Sequence, residues 1–317
     1  MKFQMSFIGN LLSKQILFST TNKFAINSIK QSLLLTQQSK RLMSGQVITN
    51  TADTGLPLKE VLHQLQEYAS PSIAEGWDNV GLLLEPSSPH TVKHLFLTND
   101  LTEDVLDEAV SKKADLILSY HPPIFSSIKR ITQEAWKNRL IIKCFENRIA
   151  IYSPHTSYDV VKGGVNDWLM SCFHGDTKPI KPLEPGVDNG FGQGRICTLK
   201  EPLAIEEVVQ KVKTHLGLPY LRLATAPGVE QVQSIACCAG SGSSVLRGVR
   251  ADVFLTGEMS HHDVLDAVST KSHVILCEHS NTERGFLKTL IPVFTGMLKS
   301  KVKVTVSELD KDPLVVV

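Results

Sequence analysis

In the stretch 274–284, reading Val-Ile-Leu-Cys-Glu-His-Ser-Asn-Thr-Glu-Arg, a histidine and a carboxylate stand four residues apart: His279 and Glu283. On one turn of helix that spacing points both side chains the same way. An imidazole and a carboxylate so placed can bind one cation, or two cations that share the carboxylate. The same spacing also arises when a helix-starting carboxylate merely follows a surface histidine, so the pair alone does not decide.

A second stretch is built to the same plan. Leu116-Ile-Leu-Ser-Tyr-His121 is again a short apolar run that ends in a histidine. Twenty-one residues upstream of it stands Leu95-Phe-Leu-Thr-Asn-Asp100, and twenty-one upstream of the first run stands Val253-Phe-Leu-Thr-Gly-Glu258. The unit "apolar-Phe-Leu-Thr-small-acid, helix, apolar run, histidine" thus occurs twice, 158 residues apart. Between its halves, Val105, Leu106 and Ala109 in one copy, and Val264, Leu265 and Val268 in the other, fall at helical intervals. Two such strand–helix–strand units indicate an internal duplication, which would bring His121 and His279 to one site.

Around these units, short apolar runs alternate with helical periodicity, which predicts an α/β fold with largely parallel sheets. A helix over 58–69 ends at Ser70-Pro71. A polar turn over 75–81 enters a strand, and a later strand over 149–152 runs into a loop that offers His155 and Asp159. Residues 176–195, rich in Gly, Pro and Asp, read as a linker between a first lobe over 49–175 and a second over 196–317. Gly190-x-Gly192-x-Gly194 has no strand before it and reads as a turn rather than a nucleotide loop. A helix over 205–216 is stopped by Gly217. The strand over 234–239 enters Gly240-Ser-Gly-Ser-Ser244, either a tight turn or a place where backbone N–H groups hold an anion. A last helix over 283–298, kinked at Pro292, returns to the cleft and is followed by an edge strand over 302–306. Asp100, His121, Asp159, Ser241, Glu258 and His279 all sit just past strand C-termini, where open α/β sheets bind ligands.

Composition bounds the function. The chain has 317 residues, 42% of them hydrophobic, enough for one large or two medium cores. A formal charge of +1 gives no electrostatic case for a nucleic-acid partner. Residues 1–50 hold six basic residues, seven serines and no Asp or Glu. That is the composition of a mitochondrial transit peptide, so residues 1–48 are expected to be a disordered targeting leader. The alternative is an ordinary extension bypassed by translation from Met43, and a cytoplasmic protein. No apolar run reaches the length of a membrane span, and no membrane partner is expected. The six cysteines lack Cys-x-x-Cys spacing, which argues against a zinc ribbon or a disulfide framework.

Three ordered motifs carry a family resemblance: Ser119-Tyr-His-Pro-Pro-Ile-Phe125, Thr256-Gly-Glu-Met-Ser-His-His262 and Glu278-His-Ser-Asn-Thr-Glu-Arg284. Over about residues 55–317 the chain resembles the NIF-three-like (NGG-one-interacting-factor-three-like) family, some bacterial members of which carry the name GTP cyclohydrolase 1 type 2. The resemblance implies two related α/β lobes facing across a metal-binding cleft, a dinuclear metal site and, in many members, ring-like homo-hexamers. It carries the family's ligands onto His121 and Asp159 for one metal, His279 for the other, and Glu283 bridging both. Many relatives have two adjacent histidines where this chain has Tyr120-His121. The missing histidine leaves the metal shared by His279 and Glu283 short of a ligand.

Two histidines and two carboxylates suit a pair of Zn²⁺, Fe²⁺ or Mn²⁺ ions better than Ca²⁺. Such ions lower the pKa of a bound water and polarise a carbonyl, amidine or phosphoryl group, so the candidate reaction is hydrolysis of a small nucleotide-like or heterocyclic substrate. Glu258 and His155 are the catalytic candidates, for proton transfer or for orienting ligands; His261 and His262 are adjacent to the site rather than ligands. The competing expectation is a non-catalytic regulatory protein with a structural metal site and a protein partner, as the family name records.

Overall fold

The structure, a computed structural model, describes residues 55–187 and 189–317; the expected leader over 1–48 lies outside them. After the short β1 (Leu56–Pro57), α1 (Leu58–Tyr68) buries Leu58, Val61 and Leu65, three and four residues apart. Next come β2 (Gly81–Leu84), β3 (Thr91–Val92), β4 (His94–Thr98) and α2 (Glu103–Ser111), which is capped by the Thr102 hydroxyl accepting from the Val105 N–H. Then follow β5 (Leu116–Ser119), α3 (Trp136–Glu146), β6 (Ala150–Ser153) and two short helices, α4 (Thr156–Val160) and α5 (Val165–Met170). β7 (Gly175–Pro182) and β8 (Gly192–Leu203) lead to α6 (Ile205–Leu216), which Gly217 ends at φ +68, the left-handed conformation that suits glycine. The remainder is β9 (Arg222–Ala224), β10 (Val232–Ser241), α7 (Ser243–Leu246), β11 (Val253–Glu258), α8 (His261–Ser269), β12 (His273–Leu276), α9 (Phe286–Met297) and β13 (Lys303–Val306).

These strands form two main sheets with helices packed on them, in keeping with the α/β class expected from the sequence. One runs β13-β4-β5-β6-β2, parallel except for the antiparallel edge strand β2. The other runs β7-β8-β10-β11-β12-β9, with β10, β11 and β12 parallel and antiparallel strands outside them. Successive strand residues face opposite ways, and both faces are covered. Leu95, Leu97, Leu116 and Leu118 of the first sheet share one core with Ile235, Val253, Leu255 and Ile275 of the second. Phe96, Ile117 and Ile151 instead pack under α2 and α3, and Ala236, Phe254 and Val274 under α7 and α8. The two α/β halves therefore share an inner core in which Phe286, Leu290 and Phe294 of α9 also lie.

Three segments differ from the sequence expectation. Residues 176–195 are not an irregular linker but the β7–β8 hairpin at the edge of the second sheet. β7 reads Gly-Asp-Thr-Lys-Pro-Ile-Lys-Pro; a polar, proline-bearing edge strand carries no apolar alternation to reveal it. The last strand, expected with the second lobe, pairs with β4 and extends the first sheet. The last helix begins at Phe286, not Glu283; Ser280–Thr282 form a 3₁₀ turn before it.

The chain after β13 is tied down by one buried carboxylate. Glu108 of α2 accepts from the Ser307 hydroxyl (2.5 Å) and from the backbone N–H groups of Glu308 (2.9 Å) and Leu309 (3.2 Å), and pairs with Lys112 (2.7 Å). Burial alone would raise its pKa, but Lys112, Ser307 and the two amides hold it down, from 4.5 to about 2. The folded value lies below the unfolded one, so this contribution is full above pH 4.5 and is lost as pH falls towards 2. Glu108→Gln is therefore expected to cost about 2–3 kcal/mol at pH 7. The deficit should shrink between pH 5 and pH 3, as read by denaturant melts across that range. Equal stability of the two proteins at pH 7 would show that the charge does not anchor the segment.

Candidate functional site

β5 ends two residues before His121 and β12 three residues before His279, and the two strands pair in different registers. Leu97 stands beside Leu118 in the first pair, whereas Leu255 stands beside Ile275 in the second. The repeat in the sequence would have placed Leu255 beside Leu276, so β12 is slipped by one residue. With a period of two, that slip reverses the faces: Leu118 points into the inner core, while its counterpart Leu276 packs outside. The extra residue is taken up at Glu278, whose φ of +66 breaks the strand direction immediately before His279. His121 and His279 then meet, with ring centroids 5.1 Å apart.

Between them lies Glu283, 3% exposed. Its Oε2 is 3.4 Å from His121 Nε2 and its Oε1 is 3.3 Å from His279 Nε2. On the far side of each ring, Nδ1 meets a second carboxylate: Asp100 Oδ1 at 2.9 Å for His121, Glu258 Oε1 at 2.7 Å for His279. Ionised carboxylates only accept, so each Nδ1 carries the proton and each Nε2 is directed at Glu283. Asn99 Nδ2 also donates to Glu283 Oε2 (3.1 Å) and to Asp100 Oδ2 (3.2 Å). Burial would raise the Glu283 carboxyl, yet the two imidazoles hold it far below the usual carboxylate range. Burial likewise works against charge on the rings, but Glu283 and Asp100 lift His121 to about 11, and Glu283 and Glu258 lift His279 to about 9. The carboxylate calls for positive charge at both imidazoles, which protons or divalent ions can supply.

The donor set fits a metal. His121, His279 and Glu283 offer ligand atoms that all lie within 4.8 Å of one another. Two donors about 2.1 Å from one ion at a tetrahedral angle stand about 3.4 Å apart, close to both nitrogen–oxygen separations here. The carboxylates behind the Nδ1 atoms are the partners that orient metal-binding histidines in general. Gly240, at φ +63, keeps the space open: a Cβ there would stand 2.5 Å from Glu283 Oε1 and 2.8 Å from His279 Nε2. Asn99 Oδ1 is buried with no partner among the described residues.

Asp159 does not join this group. It lies inside α4 rather than on a loop, and its Oδ1 takes a short hydrogen bond from the Tyr120 hydroxyl. Burial raises the Asp159 carboxyl to about 6 despite that bond, and burial with the nearby Asp159 and Glu283 charges pushes the Tyr120 phenol well above its usual value. A phenolate ligand is disfavoured in that setting. His155 stands beside His121, ring centroids 5.2 Å apart, with Nδ1 held by Asp78 Oδ1 at 2.7 Å and its backbone at φ +33. His261 and His262 begin α8 and contact each other rather than the group. The sequence assigns no role to Asn99 or Asp78, and places Gly240 only in a tight turn or anion-holding loop. The repeat places Asp100 and Glu258 at the same offset from their histidines, and the structure shows that each is the Nδ1 partner of that histidine.

Beyond the group opens a cavity of about 590 Å³, walled on one side by residues 311–314. Among the described residues, no helix is long and apolar enough to cross a membrane.

The family model Duf34/NIF3 (NGG1p interacting factor 3) matches residues 56–313. The chain is 42% identical to human NIF3-like protein 1, over 86% of this chain and 95% of that protein. It is 37% identical to the Saccharomyces cerevisiae protein named NGG1-interacting factor 3, over 79% of this chain and 92% of that one. Among solved structures, a Bacillus cereus protein related to NIF3 superposes with a TM-score of 0.73 at 21% identity, over 83% of this chain and 99% of that one.

Two glycines separate crowding from backbone strain. Gly240→Ala and Gly248→Ala both force a left-handed alanine, at φ +63 and +77, but only the first Cβ meets anything within 4 Å. Gly248→Ala is expected to lose about 1 kcal/mol of stability, and Gly240→Ala more, because its Cβ must also displace Glu283 or His279. Only Gly240→Ala should move the His279 imidazole resonances in a histidine NMR spectrum. Unmoved resonances would mean that the glycine does not hold the space beside Glu283.

Proposed function

Because the chain belongs to the Duf34/NIF3 family, we propose that it is a divalent-metal-dependent hydrolase of a small nucleotide-like or heterocyclic substrate. One observation carries this reading: two carboxylate-backed histidines direct Nε2 at opposite oxygens of a single buried glutamate. Structural zinc sites close with Cys and His sets, whereas a carboxylate shared between imidazoles leaves positions for water and substrate. His121 with Glu283 Oε2, and His279 with Glu283 Oε1, would hold Zn²⁺, Fe²⁺ or Mn²⁺; Asp159 would add a ligand on the His121 side only by giving up its hydrogen bond from Tyr120. When bound, such ions lower the pKa of a water and polarise the bond to be cleaved.

The chain's own groups divide the remaining work. Asp100 and Glu258 fix the ring orientations through Nδ1, which gives Glu258 a positioning role. His155, with Nδ1–H donated to Asp78, keeps Nε2 for accepting or returning a proton beside His121. Asn99 keeps Glu283 and Asp100 in register by donating to both. The second reading, a regulatory protein whose metal is structural, draws on the name of the yeast relative, which records a protein interaction. A homo-hexamer, and mitochondrial targeting by residues 1–48, accompany the proposal on the family resemblance and on leader composition.

Elemental analysis tests the metal. Glu283→Ala and His121→Ala are each expected to strip bound metal from the purified protein, while His262→Ala retains most of it. Full metal in Glu283→Ala would overturn the assignment. Tyr120 bears on the second ion: a protonated phenol is a poor ligand, so metal titration should find one tight and one readily exchanged ion per chain. Tyr120→His should raise the count towards two, and two equally tight sites in the wild type would contradict this.

A further inference from the structure

We propose that the cavity beside the His121–Glu283–His279 group binds an anion with a flat apolar body, its charge met by Lys137 and Lys311 and its body lying against Trp136 and Pro122-Pro123. This deepens the hydrolase reading and rests on it for the identity of the neighbouring centre. At about 590 Å³ the space is the size of a small-molecule site.

Charge in the lining decides the sign of the ligand. Three of its carboxylates face an imidazole or a cation, Asp100 with His121, Glu258 with His279 and Glu278 with Arg222; Asp312 accepts from the Ser280 hydroxyl and the Leu314 N–H, neutral donors that orient it and leave its charge. Lys137 and Lys311 line the same space and make no ion pair among the described residues; Lys137 stands 5.6 Å from the centroid of the Trp136 ring. An anion entering the cavity therefore meets two ammonium groups that are in no ion pair among the described residues.

The body of the ligand is read from the walls. Trp136 opens α3 with 45% of its surface exposed, facing the same cavity as Pro122, Pro123 and Leu101. An indole and two proline rings favour a planar apolar group by stacking and by burial of its faces. The backbone at Lys311 is held in place by its neighbours. Asp310 accepts from the Asn99 N–H at 2.6 Å and lies 3.3 Å from Arg284, and Asp312 accepts from Ser280 at 2.6 Å. Asp310 is thus turned into the protein and Asp312 is held at the cavity wall, so the backbone that carries Lys311 sits on a strap anchored on either side. A backbone fixed before the ligand arrives leaves only the side chain to be ordered on binding.

The test is calorimetric titration of the full chain with 2-naphthalenesulfonate, an anion with a flat body that contains no bond for hydrolysis. Its neutral counterpart 2-naphthol, and methanesulfonate, which lacks the body, should each bind at least tenfold more weakly. The double variant Lys137→Met with Lys311→Met, and separately Trp136→Ala, should weaken the sulfonate at least tenfold while leaving metal content unchanged. No measurable binding of the sulfonate, equal binding of 2-naphthol, or an affinity untouched by the lysine changes would overturn the proposal. The two readings fail separately. Metal retained in Glu283→Ala defeats the metal centre whatever the sulfonate does, and sulfonate binding indifferent to both lysines defeats the cavity assignment alone.

Discussion

A carboxylate buried as deeply as Glu283 loses most of its hydration, and the fold has to compensate for that at every step. An uncompensated charge in such a place costs several kcal/mol, so Glu283 stays ionised only because Asn99, His121 and His279 surround it. Those three come from the C-terminal ends of β4, β5 and β12, strands of different sheets. The glutamate itself leaves a 3₁₀ turn that Thr282 pins to Gly240 at the end of β10. One ionised side chain thus collects strand ends from both sheets. The inner core those sheets share is what keeps the ends close enough to meet it.

The same centre shows how two similar units can be built differently and still deliver the same group. In both, a Phe-Leu-Thr strand, a nine-residue helix and a second strand precede the histidine, and an acid at the end of the first strand holds Nδ1. The ladders nonetheless differ by one residue. The left-handed backbone of Glu278 cancels the slip, and so His279 reaches Glu283 from the side opposite His121. The consequence is chemical as well as geometric. The residue before His121 is the fully buried Tyr120, bonded to Asp159, whereas the residue before His279 is Glu278, which lines the cavity and pairs with Arg222. One approach to the centre is closed by a phenol and the other is open.

The end of the chain completes the open side. After β13 extends the first sheet, three buried residues, Glu108, Asn99 and Ser280, hold successive residues of the strap. A wall made from the far end of the sequence becomes as firmly placed as the strand ends opposite it, and Lys311 is carried there with it.

Much of this was legible in the sequence, because it depended on local periodicity and on a repeated spacing. The α/β class, the helix over 205–216 with its glycine stop, and the placing of Asp100, His121, Glu258 and His279 at strand ends all follow from patterns within a few tens of residues. What stayed hidden depended on partners distant in the chain. Polar β7 becomes a strand only by pairing with β8, and β13 joins the first sheet only by pairing with β4. The register of β12 is set by its neighbours, and a one-residue slip leaves no mark in composition. Asp159 has the residue type of a ligand, and only packing hands its carboxylate to Tyr120. Residue types and their spacing determined which groups this protein could use. Which of them touch was decided by long-range pairing and burial, since hydrogen bonds and desolvation act over a few ångströms in space and are indifferent to distance along the chain.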